Sequence, residues 1–102
     1  MKNLSPKEFE AGFKGNKNAV ILDVRTVGEY SQGYIPNSIN IDIMSPKFMT
    51  EVEKFDKSKE FYIYCRSGSR SYQACAQMLR AGFTTVYNLD GGIMDWRGEV
   101  KR

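Results

Sequence analysis

Histidine is absent from this sequence of 102 residues. Its absence excludes a serine–histidine–aspartate triad, a cysteine–histidine pair and any imidazole general base. It also excludes a histidine-ligated haem or non-haem iron site. The two cysteines and the scattered carboxylates are a poor ligand set for zinc. We therefore expect neither a metal nor an organic cofactor, and we expect any catalysis to use cysteine, carboxylate, lysine, tyrosine, arginine or backbone groups.

Long apolar runs and dense basic stretches are missing as well. No apolar segment approaches the roughly 20 residues that span a bilayer, and the residues after Met1 do not resemble a signal peptide. The 15 basic and 12 acidic residues give a net charge of +3 without the basic stripe of nucleic-acid-binding proteins. The two cysteines do not build a disulfide framework. We expect a cytoplasmic protein that binds neither membrane nor nucleic acid and that favours small anions.

The chain alternates strand patterns with helix patterns, and its length predicts one domain over residues 1–102. Ser5, Pro6 and Glu8 are typical of a helix start with a capping box. Strand patterns occupy residues 19–24, 38–41, 61–64 and 85–89. Helix patterns occupy residues 5–14, 27–31, 45–55 and 69–81 and the short segment after Gly91. This order predicts an α/β fold with a mainly parallel sheet and helices on both faces.

The segment from Cys65 to Arg70 carries the most chemical information. It follows a buried strand pattern and leads into a helix pattern, so it lies at the sheet edge where sites of α/β proteins gather. Gly68 between two serines permits a tight loop whose N–H groups converge on one point. With arginines nearby, such surroundings lower a cysteine pKa from about 8.5 to roughly 3.5–7.5. We therefore predict that Cys65 is a reactive thiolate, rather than a small buried hydrophobic residue in a β–α turn.

The second cysteine, Cys75, has the pattern of a core residue. It shares an apolar helical stripe with Tyr72, Ala76 and Leu79. The alternative, a resolving thiol for Cys65, is disfavoured because six helical residues separate Cys75 from Ser69, a rise of about 9 Å. A disulfide requires Cα atoms within roughly 7 Å, so we expect none without local unfolding.

Three segments together resemble rhodanese-type sulfurtransferases. Residues 65–71 are similar to the active-site loop of that family, and residues 89–92 with Trp96 resemble its carboxy-terminal signature. The amino-terminal signature resembles residues 22–25 followed by Glu29-Tyr30, Gly33, Ile35-Pro36 and residues 39–41. The resemblance covers nearly the whole chain. It departs at Tyr34 and Asn37, where the family often has histidine and glycine, and we expect only a structural effect there.

The resemblance implies a sheet of about five strands and a ping-pong reaction without a cofactor. Cys65 would attack the outer sulfur of a small anionic donor such as thiosulfate, sulfite would leave, and a Cys65 persulfide would pass its sulfur to cyanide or to a thiol, including a protein thiol. The expected substrate-binding residues are Arg66, Ser67, Gly68, Ser69 and Arg70. Asp23 and Arg25 at the end of the first predicted strand are expected to form a supporting pair behind the site.

Three other functions remain open. Cysteine phosphatases and arsenate reductases of the same fold place the arginine one position further from the cysteine and commonly have histidine before it, whereas Tyr64 precedes Cys65 here. The shorter loop favours a reaction at sulfur over a reaction at phosphate. A persulfide carrier for protein partners would show an exposed apolar rim around the site. A catalytically silent binding module would lack an open cysteine loop. The candidate rim residues are Tyr30, Tyr34, Met44, Met94 and Trp96.

Overall fold

Strands and helices alternate along the computed structural model, which describes all 102 residues. The strands are β1 (Lys2–Leu4), β2 (Ala19–Asp23), β3 (Ile39–Asn40), β4 (Glu60–Tyr64) and β5 (Thr85–Leu89). The helices are α1 (Pro6–Phe13), α2 (Val27–Ser31), α3 (Phe48–Val52) and α4 (Ser69–Arg80), with a 3-10 turn at Gly92–Asp95. The strands form one sheet in the order β1-β5-β4-β2-β3, and every pair is parallel. The predicted α/β fold is confirmed.

Strand β4 lies in the middle of the sheet and divides the core into two layers. Because side chains alternate along a strand, Phe61 and Ile63 point to one face and Tyr62 and Tyr64 to the other. The first pair packs in a cluster that includes residues of α3 and α4. The second pair packs in a cluster that includes Phe9 of α1. Helices therefore cover both faces, as the sequence predicts.

The first helix begins as its sequence predicts. Ser5 Oγ accepts a hydrogen bond from the Glu8 amide at 3.2 Å, and the Ser5 amide donates to the Glu8 carboxylate at 2.9 Å. This reciprocal pair is a capping box, which satisfies two backbone donors that the helix itself leaves unpaired. Thr26 and Glu29 form a second capping box at the start of α2, and the sequence analysis did not identify it.

The apolar stripe predicted on α4 is only partly right. Cys75 is fully buried, but Tyr72 and Leu79 are 52% and 37% exposed. The buried positions follow the spacing of one helical face, and they are Ser71, Ala74, Cys75 and Met78. The face that meets the sheet thus starts at a small polar residue, Ser71, whose hydroxyl contacts Cys65 Sγ and the Gly68 carbonyl.

Two further elements differ from the sequence prediction. Strand β1 is three residues long and has no recognisable pattern, but it pairs with β5 at the edge of the sheet. Helix α3 begins at Phe48 instead of Ser45. Ser45 Oγ accepts from the Lys47 amide at 3.1 Å, so the preceding residues form a turn. No helix is both long and apolar enough to cross a membrane.

Candidate active site

A crevice lies at the carboxyl ends of the neighbouring strands β2 and β4. After β2 the chain proceeds through α2 to β3 at one edge, and after β4 it proceeds through α4 to β5 in the opposite direction. Adjacent parallel strands whose connections diverge in this way leave a cleft where ligands of α/β proteins bind. Asp23 and Cys65 lie on either side of that position. The predicted site segments therefore meet in space.

The Cys65 thiol lies at the floor of the loop that joins β4 to α4. Gly68 has a φ of 109°, a left-handed conformation that glycine adopts without a steric penalty. This turn directs the Gly68 amide at Cys65 Sγ, with a donor–acceptor distance of 3.1 Å. The Ser71 hydroxyl, in the first turn of α4, lies 3.3 Å from the same sulfur and 3.2 Å from the Gly68 carbonyl, so its single hydrogen is shared between these two acceptors. Two hydrogen-bond donors thus converge on one sulfur atom.

Two opposing effects determine the pKa of Cys65. Burial of the sulfur favours the neutral thiol and would raise the pKa. Hydrogen bonds from the hydroxyl and amide of Ser71 and from the amides of Gly68 and Ser67 favour the thiolate and outweigh burial. The net result is a Cys65 pKa below its ordinary value. The expectation of an open cysteine loop is wrong for this structure, because Cys65 is fully covered. Reaction at Sγ therefore requires the sulfur to become accessible.

Gly92 holds the loop from the β5 side. It has a φ of 64°, and a Cβ at this position would overlap the carbonyl of Arg66 and lie 2.6 Å from Ser67 N. Only glycine permits this close approach. The 3-10 turn that follows donates from Ile93 N to the Cys65 carbonyl at 3.0 Å and from Met94 N to the Arg66 carbonyl at 3.1 Å. The segment at the end of β5 therefore fixes the backbone of the cysteine loop.

Arg70 forms a two-pronged ion pair across the crevice. Its guanidinium donates to both carboxylate oxygens of Glu29, at 2.8 and 2.9 Å. These bonds are the main reason why the pKa of Glu29 falls to about 2. Because a lowered carboxyl pKa stabilises the fold above its unfolded value of about 4.3, the pair stabilises the protein at neutral pH. That contribution is lost as the pH falls towards 2. Arg70 thus has a carboxylate partner that the sequence analysis did not foresee.

Asp23 and Arg25 form a buried pair on the β2 side of the crevice. Arg25 Nη2 lies 2.6 Å from Asp23 Oδ2, and the two side chains are 7% and 0% exposed. Arg25 Nε also donates to Asp23, and Nη2 donates to the Gly33 carbonyl at 2.7 Å. The structure therefore brings together the two residues predicted as a supporting pair. Their hydrogen bonds are to each other and to the backbone.

The remaining predicted substrate residues lie at the mouth of the loop. Arg66, Ser67 and Ser69 are exposed, and Arg66 forms no ion pair. The sequence analysis included Ser71 in the loop segment but gave it no role, and it missed Asn88. The side-chain amide of Asn88 donates to the Gly68 carbonyl at 3.2 Å. Ser71 could have been found from helical spacing, because the first turn of α4 must face the loop. Nothing in the local sequence of β5 marks Asn88.

The predicted apolar rim is only partly exposed. Met44 and Met94 are 74% and 58% exposed, whereas Trp96 is buried. Tyr30 and Tyr34 are half-buried and stack on each other with ring centres 4.3 Å apart. Two methionines therefore remain as rim residues, each beyond the carboxyl end of a strand.

The two cysteines should react with iodoacetamide in different pH ranges. The Cys65 pKa is lowered by hydrogen bonds, whereas burial raises the pKa of Cys75 to about 12. Because the thiolate is the nucleophile, we expect native Cys65 to alkylate with a midpoint below that of the same residue in the unfolded chain. Cys75 should react only after unfolding. Peptide mapping after alkylation at each pH measures both, and equal midpoints for native and unfolded Cys65 would contradict the expectation.

A parallel α/β sheet that delivers a cysteine into a hydrogen-bonding loop at its carboxyl edge defines a class of cysteine-dependent domains. Within that class, a family model described as "Rhodanese-like domain" matches residues 5–99. The chain therefore belongs to the rhodanese-like domain family.

Named relatives agree with this family. A "Sulfurtransferase" from Allochromatium vinosum is 41% identical over 81 residues, which are 78% of this chain and 73% of that protein. A "Thiosulfate sulfurtransferase GlpE" from Pseudomonas savastanoi pv. phaseolicola is 31% identical over 96 residues, 94% of this chain and 87% of that protein. A rhodanese-like domain protein from Staphylococcus aureus has a crystal structure that superposes with a TM-score of 0.80 at 31% identity, covering 97% of this chain and 94% of that one. These names support a rhodanese-type enzyme.

Proposed function

We propose that this protein transfers sulfane sulfur from thiosulfate or a persulfide donor to a thiophilic acceptor through a Cys65 persulfide. The observation that carries the proposal is the convergence of the Gly68 amide and the Ser71 hydroxyl on Cys65 Sγ, at 3.1 and 3.3 Å. These donors favour the anionic form of the sulfur and lower the pKa of Cys65. They do so in a chain that offers no imidazole base.

In the first half-reaction the Cys65 thiolate attacks the outer sulfur of thiosulfate. The S–S bond of the donor breaks, its electron pair leaves with sulfite, and Cys65 carries a persulfide. In the second half-reaction cyanide or a thiolate attacks the outer persulfide sulfur, and the electron pair of the broken S–S bond returns to Sγ. Charge balances in both steps, and no proton is transferred at Cys65. A pathway of this kind needs positioned donors for anionic sulfur rather than a general base.

Loading followed by discharge tests the proposal. The protein is incubated with thiosulfate, desalted and weighed intact, and we expect an adduct of about 32 Da, one sulfur atom. Addition of cyanide should remove the adduct and release thiocyanate in equal amount. Failure to load from thiosulfate and from an inorganic polysulfide would overturn the proposal. Release of phosphate from an aryl phosphate without any sulfur adduct would instead favour the phosphatase alternative.

A persulfide carrier serving protein partners is the second candidate. The exposed methionines Met44 and Met94 favour it, because flexible apolar side chains around a site are typical of protein-binding surfaces. Both candidates load Cys65 in the same way. They differ in discharge: the carrier discharges much faster to a protein thiol than to cyanide, whereas the small-molecule enzyme does not.

Replacement of Arg70 by alanine should weaken the use of anionic donors more than it weakens the fold. A charge-assisted hydrogen bond contributes about 1.5–3 kcal/mol, so we expect KM for thiosulfate to rise about tenfold or more. The partly exposed Glu29 pair contributes only about 1 kcal/mol or less to stability. Glu29→Gln is the matched control, because it breaks the same ion pair and keeps the guanidinium. If both variants show the same KM as the parent protein, Arg70 has only a structural role.

A further inference from the structure

A depression of about 320 Å³ adjoins the cysteine loop on the side of the 3-10 turn. Three arginines line it, Arg25, Arg66 and Arg102, together with an aliphatic wall of Ile93, Met94 and Val100. We call these six residues the arginine pocket. Its volume is that of a small-molecule site, since ligand pockets start at about 300 Å³. The amides of Ile93 and Met94 donate to the carbonyls of Cys65 and Arg66, so the wall of the pocket is attached directly to the reactive loop.

The pocket has an excess of positive charge. Arg25 is neutralised by Asp23, and Glu29, the acidic residue of the lining, is neutralised by Arg70. Arg66 and Arg102 form no ion pair. Two arginines without an ion-pair partner therefore line this space. Arg25 Nη1 also makes no hydrogen bond within the protein.

Residues distant in the sequence build the pocket. Tyr34 and Lys101 form an antiparallel bridge, with the two amide-to-carbonyl distances at 2.9 and 2.8 Å. This bridge lays residues 100–102 against the turn that follows α2. Arg102 Nη1 then donates to the Gln32 carbonyl at 3.0 Å, which directs its guanidinium along the rim of the pocket. The exposed Arg102 side chain is thus tied by one hydrogen bond to a residue that also lines the pocket.

We propose that the arginine pocket binds the carboxylate of an aliphatic thiol that accepts sulfur from Cys65, with Arg102 as a specificity-determining residue. The two unpaired guanidiniums match a carboxylate, which takes two parallel hydrogen bonds. The aliphatic wall matches a short methylene chain. Because this wall is hydrogen-bonded to the backbone of Cys65 and Arg66, a thiol held against it lies beside the cysteine loop. The inference rests on the proposed function and specifies its acceptor.

The transfer balances without a further reactant. The acceptor thiol first loses its proton to solvent, and its sulfur then attacks the outer sulfur of the Cys65 persulfide. The S–S bond to Sγ breaks, and its electron pair stays on Sγ, where the Gly68 amide and the Ser71 hydroxyl stabilise the thiolate. The acceptor leaves as a carboxylate-bearing persulfide. The bound carboxylate holds the acceptor in position during the attack and takes no part in the bond changes.

The test uses two thiols of equal length, 3-mercaptopropanoate and 3-mercapto-1-propanol, on protein already loaded with sulfur. Loading is verified first by the mass increase of about 32 Da. Loss of that mass is then followed against acceptor concentration for the parent protein, Arg102→Gln and Arg80→Gln. Arg80 is the matched control because it is an exposed arginine at the far end of α4, about 16 Å along the helix from Ser69. Comparing variants with the same thiol cancels the intrinsic reactivity of that thiol.

We expect Arg102→Gln to raise the half-saturating concentration of 3-mercaptopropanoate about fivefold to tenfold, and to change that of the alcohol by less than about twofold. Arg80→Gln should change neither. Equal effects of Arg102→Gln on both thiols, or no effect on either, would overturn the pocket while leaving the proposed function intact. Protein that never loads sulfur overturns the proposed function and this inference with it.

Discussion

Replacement of Cys65 by serine should abolish the sulfur adduct and reduce thiocyanate formation to the rate of the uncatalysed reaction, a loss of at least about 10³-fold. The change is nearly isosteric, so the buried loop keeps its shape. The Gly68 amide and the Ser71 hydroxyl still have an oxygen acceptor within reach. These two donors do not ionise a serine hydroxyl, however, and a serine alkoxide would not form a stable bond to sulfane sulfur. The effect therefore tests the chemistry of the sulfur atom rather than the fold.

Cys75→Ala is the matched control for this variant. Cys75 is fully buried one helical turn beyond Ser71, in the same core cluster as Cys65. Its replacement removes core packing but leaves the Gly68 and Ser71 donors to Cys65 Sγ in place. We expect it to lower the free energy of unfolding by about 1 kcal/mol and to leave the adduct and its discharge intact. An adduct that persists in Cys65→Ser and disappears in Cys75→Ala would show that the reactive thiol had been assigned to the wrong residue.

The alternation of strands and helices along the chain and the position of the loop could be predicted because each depends on a local pattern. Residues 61–64 form a buried strand, Gly68 permits a left-handed turn, and α4 starts directly after it. These features place Cys65 at a helix start whatever the rest of the chain does. The same local reasoning identified the capping box at Ser5 and the buried position of Cys75.

The partners of the site could not be predicted because they come from distant parts of the sequence. Arg70 and Glu29 are 41 positions apart, and Asn88 is 20 positions from Gly68. A sequence pattern does not show which residues of α2 and α4 lie opposite each other, so Glu29 could not be predicted as the partner of Arg70. It therefore attributed the lowered Cys65 pKa partly to arginines, whereas hydrogen bonds from the loop and from Ser71 favour the thiolate in the structure.

The role of the two consecutive glycines also became clear only from the structure. The sequence places Gly91 and Gly92 at the carboxyl edge of the sheet, where a glycine pair indicates a turn. The structure adds that Gly92 lies against the backbone of Arg66 and Ser67, so that β5 supports the cysteine loop from below. The conformation of the loop is thus shared between β4, α4 and the turn after β5, and a change at any of them reaches Cys65.

Replacement of Asp23 by alanine should have the largest effect on stability. It leaves the Arg25 guanidinium buried without a counter-charge, because the side chain is only 7% exposed and its other contacts, the Gly33 carbonyl and the Tyr64 ring, are uncharged. Breaking a buried ion pair in this way costs about 3–5 kcal/mol. The total free energy of unfolding of a small domain is only about 5–15 kcal/mol. We expect Tm to fall by more than about 10 °C, measured by thermal unfolding, with the free energy of unfolding measured in urea.

The double variant Asp23→Leu with Arg25→Met distinguishes charge from packing. It removes both charges and fills the same space with apolar groups, which is often neutral for stability when a buried pair is replaced. We expect it to be more stable than Asp23→Ala by at least about 1 kcal/mol, because no uncompensated guanidinium remains inside the protein. Equal stability of the single and double variants would mean that Arg25 turns out to solvent once Asp23 is gone. In that case the pair would serve to aim Arg25 at the crevice rather than to stabilise the sheet, and Asp23→Ala would impair sulfur transfer without unfolding the protein.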